Sequence, residues 1–219
     1  RAKLMFISYP NNPTAGVTRD GFFQEVVDFA LEHDIVVVHD NPYSEIAYDG
    51  YRAPSFLQTP GAMECGVEMH SLSKTYNMTG WRIGMACGNA AILDGLKRVK
   101  TNVDSGVFNA VQVAAIAALT GPQDCIRQSC RIYEERRDVL VTGLQEMGFS
   151  VTPPRATFYV WMHVGDGMAF ATRLLNELGI VATPGVGFGR YGSEYVRFAI
   201  TRSVERIEEA LSRIRRLTL

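Results

Sequence analysis

Between residues 4 and 38 the chain sets out a strand, an amphipathic helix and a second strand, and this order restricts what it can fold into. Residues 4–7 are an apolar run. Over 18–33, Phe22, Phe23, Val26, Val27, Ala30 and Leu31 recur at helical spacing, leaving Asp20, Glu25, Asp28 and Glu32 for water. Residues 35–38 are β-branched and too few for a helix. A strand that returns through a helix to a second strand of the same sheet runs parallel to it. Two further runs, 66–69 and 83–87, read as the third and fourth strands, so the expected class is α/β with a mainly parallel sheet.

Open parallel sheets bind ligands beyond the C-terminal ends of their strands. Three strands deliver polar groups there. The first runs into Ser8-Tyr9-Pro10-Asn11-Asn12-Pro13-Thr14, where the prolines forbid helix and Asn12 is displayed. The second ends in His39-Asp40-Asn41-Pro42-Tyr43, and the third in Met69-His70-Ser71-Leu72-Ser73-Lys74, with Arg82 eight positions beyond Lys74. A lysine preceded by hydroxyls and followed by an arginine suits a carbonyl compound that also carries a phosphate. Pyridoxal 5'-phosphate meets both demands, with Lys74 as Schiff-base amine and Ser71 and Arg82 as phosphate ligands. Its pyridine nitrogen calls for a carboxylate, for which Asp40 is the candidate, and Tyr43 or Asn12 can reach the ring oxygen. Taken singly, Lys74 is a solvated turn lysine, Asp40 a cap, Tyr43 a packed aromatic and Asn12 an Asx-turn. Their conjunction on one sheet edge favours the site.

The chain after Gly88 turns helical over 90–99, 107–119 and 124–147, the last stopped by Gly148; its Arg-Glu-rich centre, 133–138, reads as a solvated face. Residues 149–151 and 158–164 read as strands, 169–178 as a helix closed by Gly179, 195–200 as a strand and 204–217 as a helix. The expected division is therefore a large cofactor-binding domain, 1–124, and a connecting helix with a smaller α/β domain, 125–219. With 219 residues, 47% of them hydrophobic, there is enough chain for such cores. A net charge of −1 without a basic run argues against nucleic acid and membrane surfaces. No stretch is long and apolar enough to span a bilayer, so the cytoplasm is the expected compartment. Cys65, Cys87, Cys125 and Cys130 show neither C-x-x-C nor zinc spacing and read as free thiols, with no metal site.

Three patterns invite other readings. Gly187-Phe188-Gly189-Arg190-Tyr191-Gly192 matches a dinucleotide fingerprint, but a strand follows where a helix is needed. Ser71-x-x-Lys74 matches a serine acyltransferase motif, whose S-D-N and K-T-G elements do not occur. His39 and His70 read more simply as packed histidines than as general bases.

Asn12-Pro13-Thr14, Asp40-Asn41-Pro42-Tyr43, Ser71-Leu72-Ser73-Lys74, Gly80-Trp81-Arg82-Ile83-Gly84 and the late Arg197 together resemble the motifs of class I/II pyridoxal-phosphate aminotransferases of fold type I, and the likeness runs over essentially the whole chain. The resemblance implies a three-layer αβα large domain, incomplete here, and a homodimer acting on an amino acid and a 2-oxo acid. It implies that Lys74 anchors the cofactor and moves the proton, that Ser71, Ser73 and Arg82 bind phosphate, and that Asp40 faces the pyridine nitrogen. By the same resemblance Asn12 and Tyr43 face the ring oxygen, and Arg197 clamps the substrate α-carboxylate. The segment Tyr48-Asp49-Gly50-Tyr51-Arg52-Ala53-Pro54-Ser55-Phe56, with Tyr76-Asn77-Met78-Thr79-Gly80-Trp81-Arg82, resembles the LL-diaminopimelate aminotransferase branch, near aspartate and alanine aminotransferases. Two departures stand out. Ala15 occupies the place where the family has glycine after N-P-T, and the family's N-terminal phosphate loop and ring-stacking aromatic are absent from this sequence. With no element before 4–7, the chain reads as an N-terminally truncated piece. The irregular stretch 44–66 and the turn Asp104-Ser105-Gly106 are expected to bury their apolar residues at a subunit boundary.

Overall fold

The computed structural model describes residues 2–217. The chain divides into two compact units: the first runs to Arg127 but leaves out Asn11–Gly16, which groups with the second unit, Gln128 onward. The division expected from sequence falls between residues 124 and 125 and counts Asn11–Gly16 with the large domain. That turn joins the second unit because Asn12 Oδ1 accepts a hydrogen bond from Arg197 Nη1 at 2.6 Å.

The first unit contains β1 (Leu4–Ser8), α1 (Phe22–His33), β2 (Val36–Asp40), α2 (Ala62–Cys65), β3 (Gly66–Ser71), α3 (Leu72–Thr75), β4 (Gly84–Gly88), α4 (Ala90–Val103) and α5 (Asn109–Thr120). Its sheet has the order β1-β2-β3-β4, with the first three strands parallel and β4 antiparallel to β3. Gly84 makes the last pairing possible, since a Cβ there would lie 2.5 Å from the His70 carbonyl oxygen. Phe23, Val26, Val27 and Ala30 of α1 form the core with Val37, Phe56, Ala62 and Cys65. A second cluster joins Leu72, Met78 and Ala115.

The stretch 44–66 departs from expectation. Ile46, Tyr48 and Phe56 are buried within the chain itself, so they need no second subunit. Met63 is the large apolar side chain of this stretch that stays exposed, and a group of exposed apolar side chains lies around α4 and α5, at Val99, Val103, Phe108, Val113 and Ile116.

The long helix α6 (Asp124–Glu146) leads into the second unit, which adds β5 (Tyr159–His163), α7 (Gly167–Leu178), β6 (Thr183–Pro184), β7 (Tyr195–Ala199) and α8 (Val204–Ile214). Its antiparallel sheet has the order β5-β7-β6. Two expectations are corrected here. Residues 149–151 form no strand, because their backbone serves the end of α6: Phe149 N donates to Leu144 O and Val151 O accepts from Gln145 Nε2. The centre of α6 is not wholly solvated either. Tyr133 and Arg137 are buried, and Arg137 Nη1 donates to Pro154 O at 3.0 Å while Nε donates to Asp138 at 2.8 Å. Only the last glycine of the false dinucleotide motif has a packing use: a Cβ on Gly192 would meet Gly185 O at 2.3 Å, whereas one on Gly187 or Gly189 would meet nothing within 4 Å. Among the described residues no helix is long and apolar enough to cross a membrane.

Candidate active site

In the first unit the expected residues gather at the ends of β2 and β3. Asp40 closes β2 opposite Met69, and Asn41 N extends the ladder by donating to Met69 O at 2.9 Å. Ser71 closes β3 and caps α3, its Oγ accepting from Ser73 N at 3.2 Å. Lys74 follows on that single turn, half-buried, after the buried Ser73. Thr79 Oγ1 donates to Ser73 O at 3.0 Å and ties the next turn to this one. Arg82 then adopts a left-handed backbone, φ 53°, and its Nη1 donates to Thr79 O at 3.0 Å. Such a conformation costs a non-glycine residue on the order of 1–3 kcal/mol and is held by its surroundings. Tyr43 is buried in a turn closed by Ile46 N donating to Tyr43 O at 3.0 Å. Asp40 keeps part of its surface open, yet burial of the carboxyl raises its pKa, opposed by the charge of His39.

Beneath this edge lies a polar cluster that the apolar reading of residues 66–69 passed over. Glu68 is buried, and its carboxylate accepts four hydrogen bonds. Oε1 takes His39 Nδ1 at 2.9 Å and Phe56 N at 2.6 Å; Oε2 takes Ser55 Oγ at 2.9 Å and His70 Nε2 at 3.0 Å. His39 Nε2 in turn donates to Tyr9 O at 2.9 Å. Burial alone would raise the Glu68 pKa, but the hydrogen bonds from His39 and His70, the charge of His39 and the Ser55 hydroxyl outweigh it and hold the carboxyl far below the usual range. A carboxylate inside an otherwise apolar strand, flanked in sequence and across the sheet by histidines, was the available signal.

In the second unit the turn Asn11–Gly16 is closed by Asn11, whose backbone N donates to Gly16 O and whose Oδ1 accepts from Thr14 N and Thr14 Oγ1 at 3.1 and 2.7 Å. The Asx-turn belongs to Asn11 rather than Asn12. Ala15 takes φ 57°, the left-handed conformation that glycine adopts most easily. Arg197 of β7 donates from Nη1 to Asn12 and from Nη2 to Thr183 Oγ1 at 3.5 Å. Its guanidinium lies over the rings of Tyr159 and Phe188, 4.1 and 4.7 Å from their centroids. Arg197 Nε is buried and has no hydrogen-bond partner among the described residues. Thr183, Tyr159 and Phe188 were not foreseen; β6, which brings Thr183 opposite Arg197, is too short to show periodicity.

The donor set fits pyridoxal phosphate. One amine, two hydroxyls and a guanidinium follow a single strand, and a carboxylate ends its neighbour. The chain belongs to the aminotransferase class I and II family, whose pattern it matches over residues 1–214. It is 56% identical over 220 residues to an LL-diaminopimelate aminotransferase of Moorella thermoacetica, covering 99% of this chain and 56% of that protein. A like-named protein of Syntrophobacter fumaroxidans is also 56% identical, with 100% of this chain and 57% of that protein covered. Among solved structures, a probable N-succinyldiaminopimelate aminotransferase from Thermus thermophilus superposes with a TM-score of 0.92 at 41% identity, over 98% of this chain and 58% of that one. The chain thus spans a little over half the length of these relatives. Family membership sets aside serine acyl transfer at Ser71.

Proposed function

We propose that the whole protein is a pyridoxal-phosphate-dependent aminotransferase that exchanges an amino group between an amino acid and a 2-oxo acid, with LL-diaminopimelate as the amino donor. The observation that carries the reading is the placement of Lys74 one turn after Ser71 at the end of β3, with Asp40 ending the adjacent β2. When bound, the cofactor supplies an electron sink for the bond broken at the substrate α-carbon. Lys74 would hold it covalently and carry a proton on Nζ. Ser71, Ser73 and Arg82 would bind its phosphate, and Asp40 would keep a proton on the pyridine nitrogen. Tyr43 and the Asn12 amide would donate to the ring oxygen. Arg197 would hold the substrate carboxylate, for which its planar fork and unsatisfied Nε are suited.

The choice of diaminopimelate is supported by the names of relatives 50–56% identical to this chain. Cytoplasmic residence accords with this metabolic role. A homodimer is supported by the exposed apolar side chains of α4 and α5, which a partner surface would cover. The test is an assay of the whole protein with 2-oxoglutarate and, in turn, LL-diaminopimelate, aspartate and alanine. Diaminopimelate should lead in kcat/KM by at least about tenfold, about 1.4 kcal/mol of transition-state binding. A lead for aspartate or alanine would overturn the substrate assignment while leaving the aminotransferase reading in place.

A further inference from the structure

The cluster around Glu68 has a chemical consequence beyond holding the strands together. A carboxylate offers about four lone-pair sites, and all four hydrogen bonds to Glu68 come from separate donors: His39, Phe56, Ser55 and His70. Glu68 is saturated as an anion. A protonated carboxyl would lose an acceptor position and direct its own hydrogen at a donor.

His39 is fully buried, and neither of its ring nitrogens faces a donor. Nδ1 meets the Glu68 carboxylate and Nε2 the carbonyl of Tyr9, each at 2.9 Å. A neutral imidazole has one donor and one acceptor nitrogen, so it would set a lone pair against an oxygen in one of these contacts. Only a ring carrying hydrogens on both nitrogens satisfies the geometry. The ring packs edge-to-face with Phe23 of α1 and with Phe56, with centroids 5.0 and 6.3 Å away. The facing polar groups are therefore the Tyr9 carbonyl beyond β1 and Glu68 of β3, with His70 and Ser55 reaching Glu68 from its other side. A buried cation persists when it is paired and hydrogen-bonded in this way.

We propose that Glu68 and His39 form a buried ion pair that serves as a positioning device for Asp40: Glu68 keeps His39 doubly protonated, and the resulting cation, next to Asp40 on β2, holds that carboxyl in its ionised form. The proposal rests on the reading of Asp40 as the partner of the pyridine nitrogen, which must be an anion to retain a proton there. Glu68 and His39 touch neither cofactor nor substrate in this account. They act through the charge and placement of Asp40.

The pair can be tested on the whole protein prepared without cofactor, so that a negative result bears on this pair and not on Lys74. With nitrogen-15 in the histidines and carbon-13 in the aspartate side chains, NMR should show both His39 nitrogens protonated at about pH 8, where an isolated imidazole is neutral. In Glu68→Gln one of those protons should be lost, and the Asp40 carboxyl should titrate at a higher pH than in the parent. His39→Gln should move Asp40 in the same direction. A parent His39 with one bare nitrogen at that pH would overturn the proposal, as would an Asp40 midpoint unmoved in folded variants. If neither variant folds, the parent's nitrogen pattern decides the matter alone. A merely structural role for the cluster would leave the Asp40 midpoint in place.

Discussion

The two units treat their buried polar groups in opposite ways. Under the sheet edge of the first, Glu68 has four donors for its lone pairs and both nitrogens of His39 have acceptors. In the second, Arg197 is stacked over two aromatic rings, holds Asn12 through one nitrogen, and leaves Nε buried and unmatched. A saturated cluster fixes geometry and asks nothing of a ligand. A buried donor without an acceptor is desolvated at a cost of about 1–3 kcal/mol, which a bound anion can recover. On the proposed function the first pattern serves as a scaffold and the second as a recognition point. Asn41 is the exception in the first unit, with a buried Oδ1 that has no partner among the described residues, directly after Asp40.

The largest expected effect is chemical. Lys74→Ala in the whole protein should lower transamination by at least about 10³-fold, about 4 kcal/mol of barrier, with the fold intact by circular dichroism. Next comes the scaffold. Glu68→Ala strands four donors and a buried imidazole, and denaturant unfolding should show a loss of about 3–5 kcal/mol. Arg197→Met provides the contrast: stability should change by less than about 1 kcal/mol, because one of its donors is already unsatisfied, while KM for the amino acid rises by at least about tenfold. If Arg197→Met unfolded the chain more readily than Glu68→Ala, the distinction between scaffold and recognition point would be wrong.

The pH dependence separates the two carboxylates within the first unit. The Glu68 pKa is lowered on folding, so its stabilising contribution is complete above the ordinary carboxylate range and is lost as pH falls below it. The Asp40 pKa is raised, so its ionisation weakens the fold as pH rises through that range. Asp40→Asn should accordingly raise Tm at neutral pH but not in acid, while impairing transamination. A Tm gain in acid as large as that at neutral pH would show that charge is not the cause. The smallest effect concerns the second unit's turn. Ala15→Gly relieves a left-handed alanine and should change stability by only about 0.5–1 kcal/mol, measurable as a small shift in Tm.

The βαβ start and the strand-end residues were legible because each rests on local pattern: period, length and the polar residue that stops an apolar run. Asp40 and Ser71 are the last residues of their strands. Glu68 was missed because it interrupts an apolar run only once, and its partners Ser55 and Phe56 arrive from a connection without periodicity. Arg137 was misplaced for a related reason. A charged helix centre looks solvated until the carbonyl of Pro154 arrives to accept from it. The antiparallel direction of β4 depends on the close approach at Gly84, and the Asn12–Arg197 bond spans 185 positions of sequence. Neither leaves a short-range trace.

The proposed site puts the covalent chemistry on the first unit's strand-end turn. The direct measurement is reduction of the whole protein with borohydride in the presence of pyridoxal 5'-phosphate, followed by proteolysis and mass mapping. A single phosphopyridoxyl adduct is expected, on Lys74, with a yield that falls when the carbonyl is blocked beforehand with hydroxylamine. An adduct on Lys3, Lys97 or Lys100 in preference to Lys74, or an even spread over all four lysines of this chain, would contradict it.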